Sequence, residues 1–271
     1  MPTRRLSPDE TRARLAAIGV ARGRGGTFAF EDDAERIRYD FHAHRQHQLL
    51  YAMSGVARLQ TESAQFLLPP QRAAWIPARV RHATDLNGAK VLSIYFERAT
   101  LPVGDVRVFD VPPVVREMLL YARRWPRDRA KARDREAATF FRALLGVLAG
   151  AVTARSVYAL PRARSELTAR ASDWVLSNLT QATLARAARH AGTSARTLRR
   201  HFSAETGVPF RTFVNQARVQ RAVELLSASS KAIVEVAHEV GFQSQSAFTQ
   251  AFRRGLGLTP RAFRRGAARS T

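Results

Sequence analysis

Two groups of residues in this chain have the types and spacing to do chemistry. The first is a set of hydrogen-bonding side chains on two short stretches of helical character, with Arg196, Arg199 and Arg200 on one and Gln243, Gln245, Ser246 and Gln250 on the other. A guanidinium matches the acceptors of guanine and of phosphate, and a carboxamide matches the acceptor and donor of adenine, so both sets suit the major groove of double-stranded DNA. The second group is Phe41-His42-Ala43-His44 with Gln48 four residues on, and later Pro77-Ala78-Arg79-Val80-Arg81-His82. On a strand, His42 and His44 at i and i+2 share a face, and His82 stands at the entry to another expected strand. These polar groups could line an organic effector pocket with Tyr51, Trp75 and Tyr95 as walls, or could be partly exposed and inert. The chain has no cysteine. That excludes disulfides, thiolate zinc sites and cysteine nucleophiles, and any metal must be held by imidazole, carboxylate or amide groups.

An internal repeat positions the first group. When residues 197–213 are set beside residues 247–263, Phe202 matches Phe252, Gly207 matches Gly257, Arg211 matches Arg261 and Phe213 matches Phe263. Upstream, Leu184 matches Ile233, Ala188 matches Ala237 and Gly192 matches Gly241 at an offset one residue shorter, so the second copy has one extra residue in its turn. Each copy reads as helix, Gly-containing turn, helix. Gly192 and Gly241 end the first helix, Ser194 and Ser244 are placed to cap the second, and Leu198 with Phe202, or Phe248 with Phe252, point inward at i and i+4. This is a helix-turn-helix, twice. A helix expected over residues 209–226 would be roughly 27 Å long, enough to hold the two units about one DNA turn (roughly 34 Å) apart. One chain could then read two adjacent major grooves, with asymmetric half-sites because the reading helices differ.

On these motifs the sequence resembles the AraC/XylS family of bacterial transcription regulators. The residues that carry the resemblance are Leu184-Ala-Arg-Ala-Ala188, Ser194 through Gly207, Ile233 through Phe248, and Gly257 through Arg261, within a match that covers about 100 residues. The resemblance implies a DNA-binding domain of two helix-turn-helix units joined by a long helix, in an activator that contacts RNA polymerase. It places Arg196, Arg199, Arg200, Ser246, Ala247 and Gln250 at base-facing positions, with Ala247 offering only a methyl contact. Ser194, Thr197, Arg211, Gln243, Ser244, Gln245, Arg253, Arg254 and Arg261 complete the expected DNA-binding set.

Ahead of this lie short apolar runs punctuated by Gly and Pro, such as Gln48–Tyr51, Phe66–Leu68, Ala74–Ile76 and Val91–Phe96, the spacing of an antiparallel sandwich or barrel. After Pro112-Pro113 the period becomes helical, over Val114–Tyr121 and Glu136–Val152. Phe140, Phe141, Leu144, Leu145 and Leu148 form an apolar stripe on the second helix, for internal packing or, alternatively, for a homodimer. The histidine segments resemble the two cupin motifs, in which two histidines, a carboxylate and a distant histidine hold one metal in a small β-barrel. That resemblance implies a divalent site of His42, His44 and His82 with Gln48 or water. Gln48 stands where the carboxylate belongs and Arg79 where a glycine belongs, which puts the metal in doubt against an organic effector.

The expected fold is therefore two-domain, β plus α. A flexible arm over residues 1–35 precedes a cupin-like antiparallel β-barrel with following helices over 36–155, then a linker at 156–165 and an all-α double helix-turn-helix domain over 166–271. The 271 residues carry 44 Lys plus Arg against 22 Asp plus Glu, a formal charge of +22, which points to a polyanionic partner. Residues 160–271 hold 18 basic and 6 acidic residues, the denser share. Only three of the basic residues are lysines, an arginine bias that genomic base composition can also produce. No signal-like or membrane-length apolar run occurs, so a cytoplasmic regulator is expected. The competing readings are a metal-dependent cupin enzyme fused to a DNA-binding domain, and an architectural protein that binds DNA by charge alone.

Overall fold

The computed structural model describes residues 4–20, 26–32, 37–86, 88–99, 101, 103–128, 134–153 and 159–268. They fall into two compact units, Met1–Thr61 with Leu67–Ser156, and Glu62–Phe66 with Val157–Arg269.

The first unit begins with β1 (Arg4–Arg5) and α1 (Pro8–Ala17), so the expectation of a loose arm over residues 1–35 is corrected. Ser7 and Glu10 form a capping box that fixes the start of α1, with each side chain accepting from the other's backbone N–H. Leu15, Val20 and Phe28 then bury their side chains together with Tyr95. The signal overlooked was Ser7-Pro8-Asp9-Glu10, a helix start hidden among arginines; within the expected arm, residues 1–3, 21–25 and 33–35 lie outside the described residues. The strands that follow are β2 (Phe28–Asp32), β3 (Ile37–His42), β4 (His47–Ser54), β5 (Ala57–Thr61), β6 (Ala64–Leu68), β7 (Arg72–Ile76), β8 (His82–Asp85), β9 (Lys90–Phe96) and β10 (Arg107–Asp110).

One antiparallel sheet runs β10-β7-β4-β9-β2. In the facing sheet, β3 pairs with β8 and β8 with β5, both antiparallel, and β1 joins β3 in parallel. Because strand side chains alternate, β4 sends Leu49 and Tyr51 to one face and Gln48 and Leu50 to the other. The first face carries α2 (Pro113–Tyr121) and α3 (Arg135–Val152). Val115, Leu119, Phe141, Leu144 and Leu148 pack there against Leu49, Tyr51, Trp75 and Phe96, each large side chain stabilising the unit by about 1.5–3 kcal/mol. Phe141, Leu144 and Leu148 of the α3 stripe are thus internal packing, with Phe140 and Leu145 half-buried against the same cluster.

In the second unit, Ala64–Phe66 of β6 pairs antiparallel with β11 (Ala159–Pro161). The expected linker at 156–165 is corrected to this extent: from Ala159 onward it is built into the unit, with Leu160 in the helical core, while residues 156–158 lie outside the described ones. The helices are α4 (Glu166–Ser177), α5 (Leu184–His190), α6 (Ala195–Thr206), α7 (Phe210–Ala228), α8 (Ile233–Glu239), α9 (Gln245–Leu256) and α10 (Pro260–Ala268). Ala187, Ala188, Leu198, Phe202 and Phe213 form the core of the first repeat. Val236, Ala237, Val240, Phe248, Phe252 and Phe263 are the buried counterparts in the second.

Candidate nucleic-acid interface and candidate metal centre

The two repeats fold alike because the same residue types stand at their corners. Gly192 and Gly241 turn at φ of 72° and 95°, and Gly207 and Gly257 end the reading helices at 70° and 73°, a region in which glycine lacks the Cβ clash of other residues. Ser194 accepts from the Thr197 N–H at 3.1 Å and Ser244 from the Ala247 N–H at 3.3 Å, so each caps its helix as expected. The long α7 joins the units.

Arg196, Arg199, Arg200, Gln243, Gln245, Ser246, Ala247 and Gln250 are all exposed, as are Ser194, Arg211, Ser244, Arg253, Arg254 and Arg261, while Thr197 is half-buried. Arg199, Arg211, Gln243, Ala247, Gln250 and Arg254 come together around one cleft of about 680 Å³. The remaining members of the set lie outside it.

Two residues that set this geometry were not singled out from the sequence. Arg218 of α7 donates from Nε and Nη2 to the carbonyl of Leu179 at 3.1 and 2.9 Å, and its guanidinium lies 5.7 Å from the centre of the Phe242 ring. It ties the entrance of the first repeat to the turn of the second. Glu205 of α6 accepts from the N–H groups of Arg164 and Ser165 at 3.1 and 3.0 Å and from the Thr168 hydroxyl. Partial burial pushes its carboxyl up, but hydrogen bonds from Ser165, Thr168 and Arg164 outweigh that and hold it at about 2. Neither residue differs in type or spacing from an ordinary charged helix surface.

In the first unit, His42, His44 and His82 converge, with one ligating nitrogen from each lying within 4.8 Å of the others. His42 and His82 are opposed across β3 and β8. His44 lies past the end of β3, so the shared-strand reasoning for it is corrected; the turn before β4 brings it in. Each ring is anchored by Nδ1 to a backbone carbonyl, His42 to Asp40 at 2.7 Å, His44 to Gln46 at 2.8 Å and His82 to Val80 at 2.8 Å. A carbonyl only accepts, so each Nδ1 carries the hydrogen and each Nε2 keeps a lone pair. Burial pushes all three imidazoles down, His42 to about 4 and His82 well below its usual value.

Two features test whether these residues fit a metal. His82 Nε2 is buried without a hydrogen-bond partner. Gln48 Oε1, an acceptor, lies 3.2 Å from His44 Nε2, while Gln48 Nε2 donates to Ser93 Oγ at 3.0 Å. Two lone pairs facing each other are satisfied either by a half-turn of the amide or by a cation between them. Neutral imidazoles held through their other nitrogen are the usual way zinc-like ions are bound, so the donor set fits a divalent metal.

The cavity beside His42 and Gln48 is also lined by Asp32, Tyr39, Ser93 and Tyr95, by Leu15 of α1 and by Ile18 just after that helix. Tyr95 lines this cavity. Tyr51 and Trp75 do not, because the alternation of β4 and β7 sends them to the opposite face under α2 and α3. Arg14 of α1 donates to the Tyr39 hydroxyl at 2.7 Å and to Asp32 at 3.2 Å, and the Tyr39 hydroxyl also donates to Asp32.

Residues 24–162 match the AraC-like ligand binding domain, just over half the chain, and residues 187–266 match a helix-turn-helix domain. The chain is similar to the HTH-type transcriptional regulator NimR of Escherichia coli K12, with 28% identity over 247 residues, 86% of this chain and 85% of that one. It is also similar to ExsA of Pseudomonas aeruginosa, with 38% identity over 95 residues, 35% of this chain and 31% of that one. Against the virulence regulon transcriptional activator VirF of Yersinia enterocolitica it has 38% identity over 77 residues, 28% of each chain. Among the described residues no helix is long and apolar enough to cross a membrane. A ligand-binding β-domain followed by two serine-capped helix-turn-helix repeats makes this chain a member of the AraC family of transcriptional regulators.

Proposed function

We propose that this protein activates transcription by docking α6 and α9 into two adjacent major grooves of an asymmetric operator. Arg196, Arg199 and Arg200 would read a guanine-containing half-site, and Gln243, Gln245, Ser246, Ala247 and Gln250 a second one. Ser194, Thr197, Ser244, Arg211, Arg253, Arg254 and Arg261 would hold the backbone. The observation that carries this reading is the pair of exposed, serine-capped reading helices built on one repeat. The activator role draws support from the name of VirF and implies contact with RNA polymerase; a cytoplasmic location follows from DNA as the target. The test is affinity for an operator selected from random duplexes. Replacing Arg199 and Arg200 together with Ala should lower specific binding by about 1–3 kcal/mol per lost bidentate contact. Unchanged affinity at physiological salt would overturn the assignment, and equal affinity for operator and random DNA would favour an architectural protein.

For the sensing domain, we infer a divalent metal held by His42, His44, His82 and the Gln48 carbonyl. The lone-pair opposition at His44 and Gln48 supports it, together with the unpartnered Nε2 of His82. When bound, such an ion supplies a Lewis-acidic anchor for a ligand. We read the domain as a sensor rather than an enzyme, since its family is one of regulators and the carboxylates beside the triad are engaged with arginines. Metal content of natively purified protein should be near one ion per chain and should disappear in a His42→Ala, His82→Ala double variant. Metal-free native protein that also takes up none on addition would exclude this centre and direct the search to organic effectors.

A further inference from the structure

Three imidazoles and one amide are neutral donors, so a divalent ion held by them would keep its full charge. Of those donors, His44, Gln48 and His82 are buried. A charge in such surroundings needs a counter-charge. Among the described residues, the two carboxylates nearest the triad are committed elsewhere. Asp32 holds the Tyr39 hydroxyl and the Arg14 guanidinium, and Asp40 accepts from the Phe41 N–H at 2.8 Å and faces Arg5 at 3.8 Å. Beside His42 and Gln48 lies a cavity of about 20 Å³, with the Ser93 and Tyr95 side chains on its wall, room for about one water.

Resting on the metal reading above, we propose that the ligand sensed by this domain is a small monoanion of the carboxylate class. It binds through oxygen to the ion held by His42, His44 and His82 and displaces a water. Three observations converge: the donor set lacks a negative charge, Asp32 and Asp40 are already paired, and the cavity is lined by His42 and Gln48. Leu15, Ile18 and Leu50 around that cavity suit a short apolar tail behind the carboxylate, and such a tail requires α1 to shift. Position 48 is the discriminator. A glutamate there would bring the missing charge to the metal, whereas glutamine leaves it to be supplied by the ligand.

The test uses the full chain, stripped with a chelator and reloaded with cobalt(II), whose visible absorption reports its ligands. One equivalent of cobalt should bind, and acetate and azide should each shift the spectrum saturably at constant ionic strength. Gln48→Glu should keep the cobalt but bind azide at least about tenfold more weakly. Cobalt that binds without responding to either anion overturns the proposal and leaves the metal centre standing. Equal azide affinity in wild type and Gln48→Glu overturns it as well. Failure to bind cobalt at all removes the metal reading and this inference together.

Discussion

Gly241 offers the sharpest test of how the two repeats are held. A Cβ added there would stand 2.7 Å from the Leu179 carbonyl oxygen, 2.8 Å from Thr180 Cα and 3.0 Å from Arg218 Nε. At Gly192, the equivalent corner of the first repeat, a Cβ would meet nothing within 4 Å. Both glycines sit at positive φ, so alanine at either site pays a backbone penalty of about 1–2 kcal/mol. At Gly241 the new methyl must also push the Leu179 carbonyl away from Arg218, whose two hydrogen bonds are charge-assisted and together stabilise by about 1.5–3 kcal/mol. Gly192→Ala should therefore destabilise by about 1–2 kcal/mol and Gly241→Ala by about 2.5–5 kcal/mol. Urea unfolding of the full chain, followed by the helical circular dichroism that the second unit dominates, gives both values in one assay. Gly241→Ala should further weaken operator binding, because the strut between the repeats is lost. Equal destabilisation by the two variants would refute the reasoning, since it would mean that the close approach at Leu179 is relieved at no cost.

Glu205→Gln should destabilise the second unit by about 1 kcal/mol once solvent screening of this largely accessible group is allowed for. The folded carboxyl is held at about 2, below the usual 4.5, so its contribution is full above about 4.5 and fades as pH falls toward 2. An acid titration of helicity in which the wild type and variant converge at low pH checks this, and a constant gap would contradict it. Ser194→Ala and Ser244→Ala should each cost about 1 kcal/mol in thermal melts; no loss in either would mean that its cap contributes nothing. Chelator-stripped protein should melt lower than protein with zinc in excess, by about 2.7 kcal/mol at a hundredfold excess over Kd. Identical melting would count against the metal centre.

Much of the second unit was legible because repetition supplies its own control. Glycine at both corners and serine two or three residues later can be checked against each other within one chain, and the structure puts both serines at N-caps. What stayed hidden there depends on distance in sequence. Arg218 meets Leu179 across 39 residues and Glu205 meets Arg164 across 41, and no local pattern distinguishes such an arginine or glutamate from a solvated one. In the first unit, Gln48 and Tyr51 were both expected at the pocket, although three residues apart on one strand they face opposite ways. Aromatic size drew Tyr51 and Trp75 to the wrong side, since large side chains are wanted equally under a helix layer. Ser93, alone among the apolar residues of β9, was the readable sign that this face of the strand carries polar chemistry. Gly23, Gly25 and Gly26 made the N-terminus read as slack, although Leu15 and Phe28 on either side of them are core residues.

The contact of α1 with the wall of the cavity couples the helix to whatever occupies that space. Arg14 joins the helix to Tyr39 and Asp32, and Leu15 and Ile18 line a space the size of one water. If a ligand larger than that enters by displacing α1, its apparent affinity is the intrinsic one divided by the rarity of the displaced state. The relation is reciprocal: whatever holds α1 down weakens the ligand by the same factor by which the ligand loosens α1. An N-terminal segment is then a dial on sensitivity, and substitutions at Arg14 would retune the concentration at which the regulator responds without touching a single ligand contact.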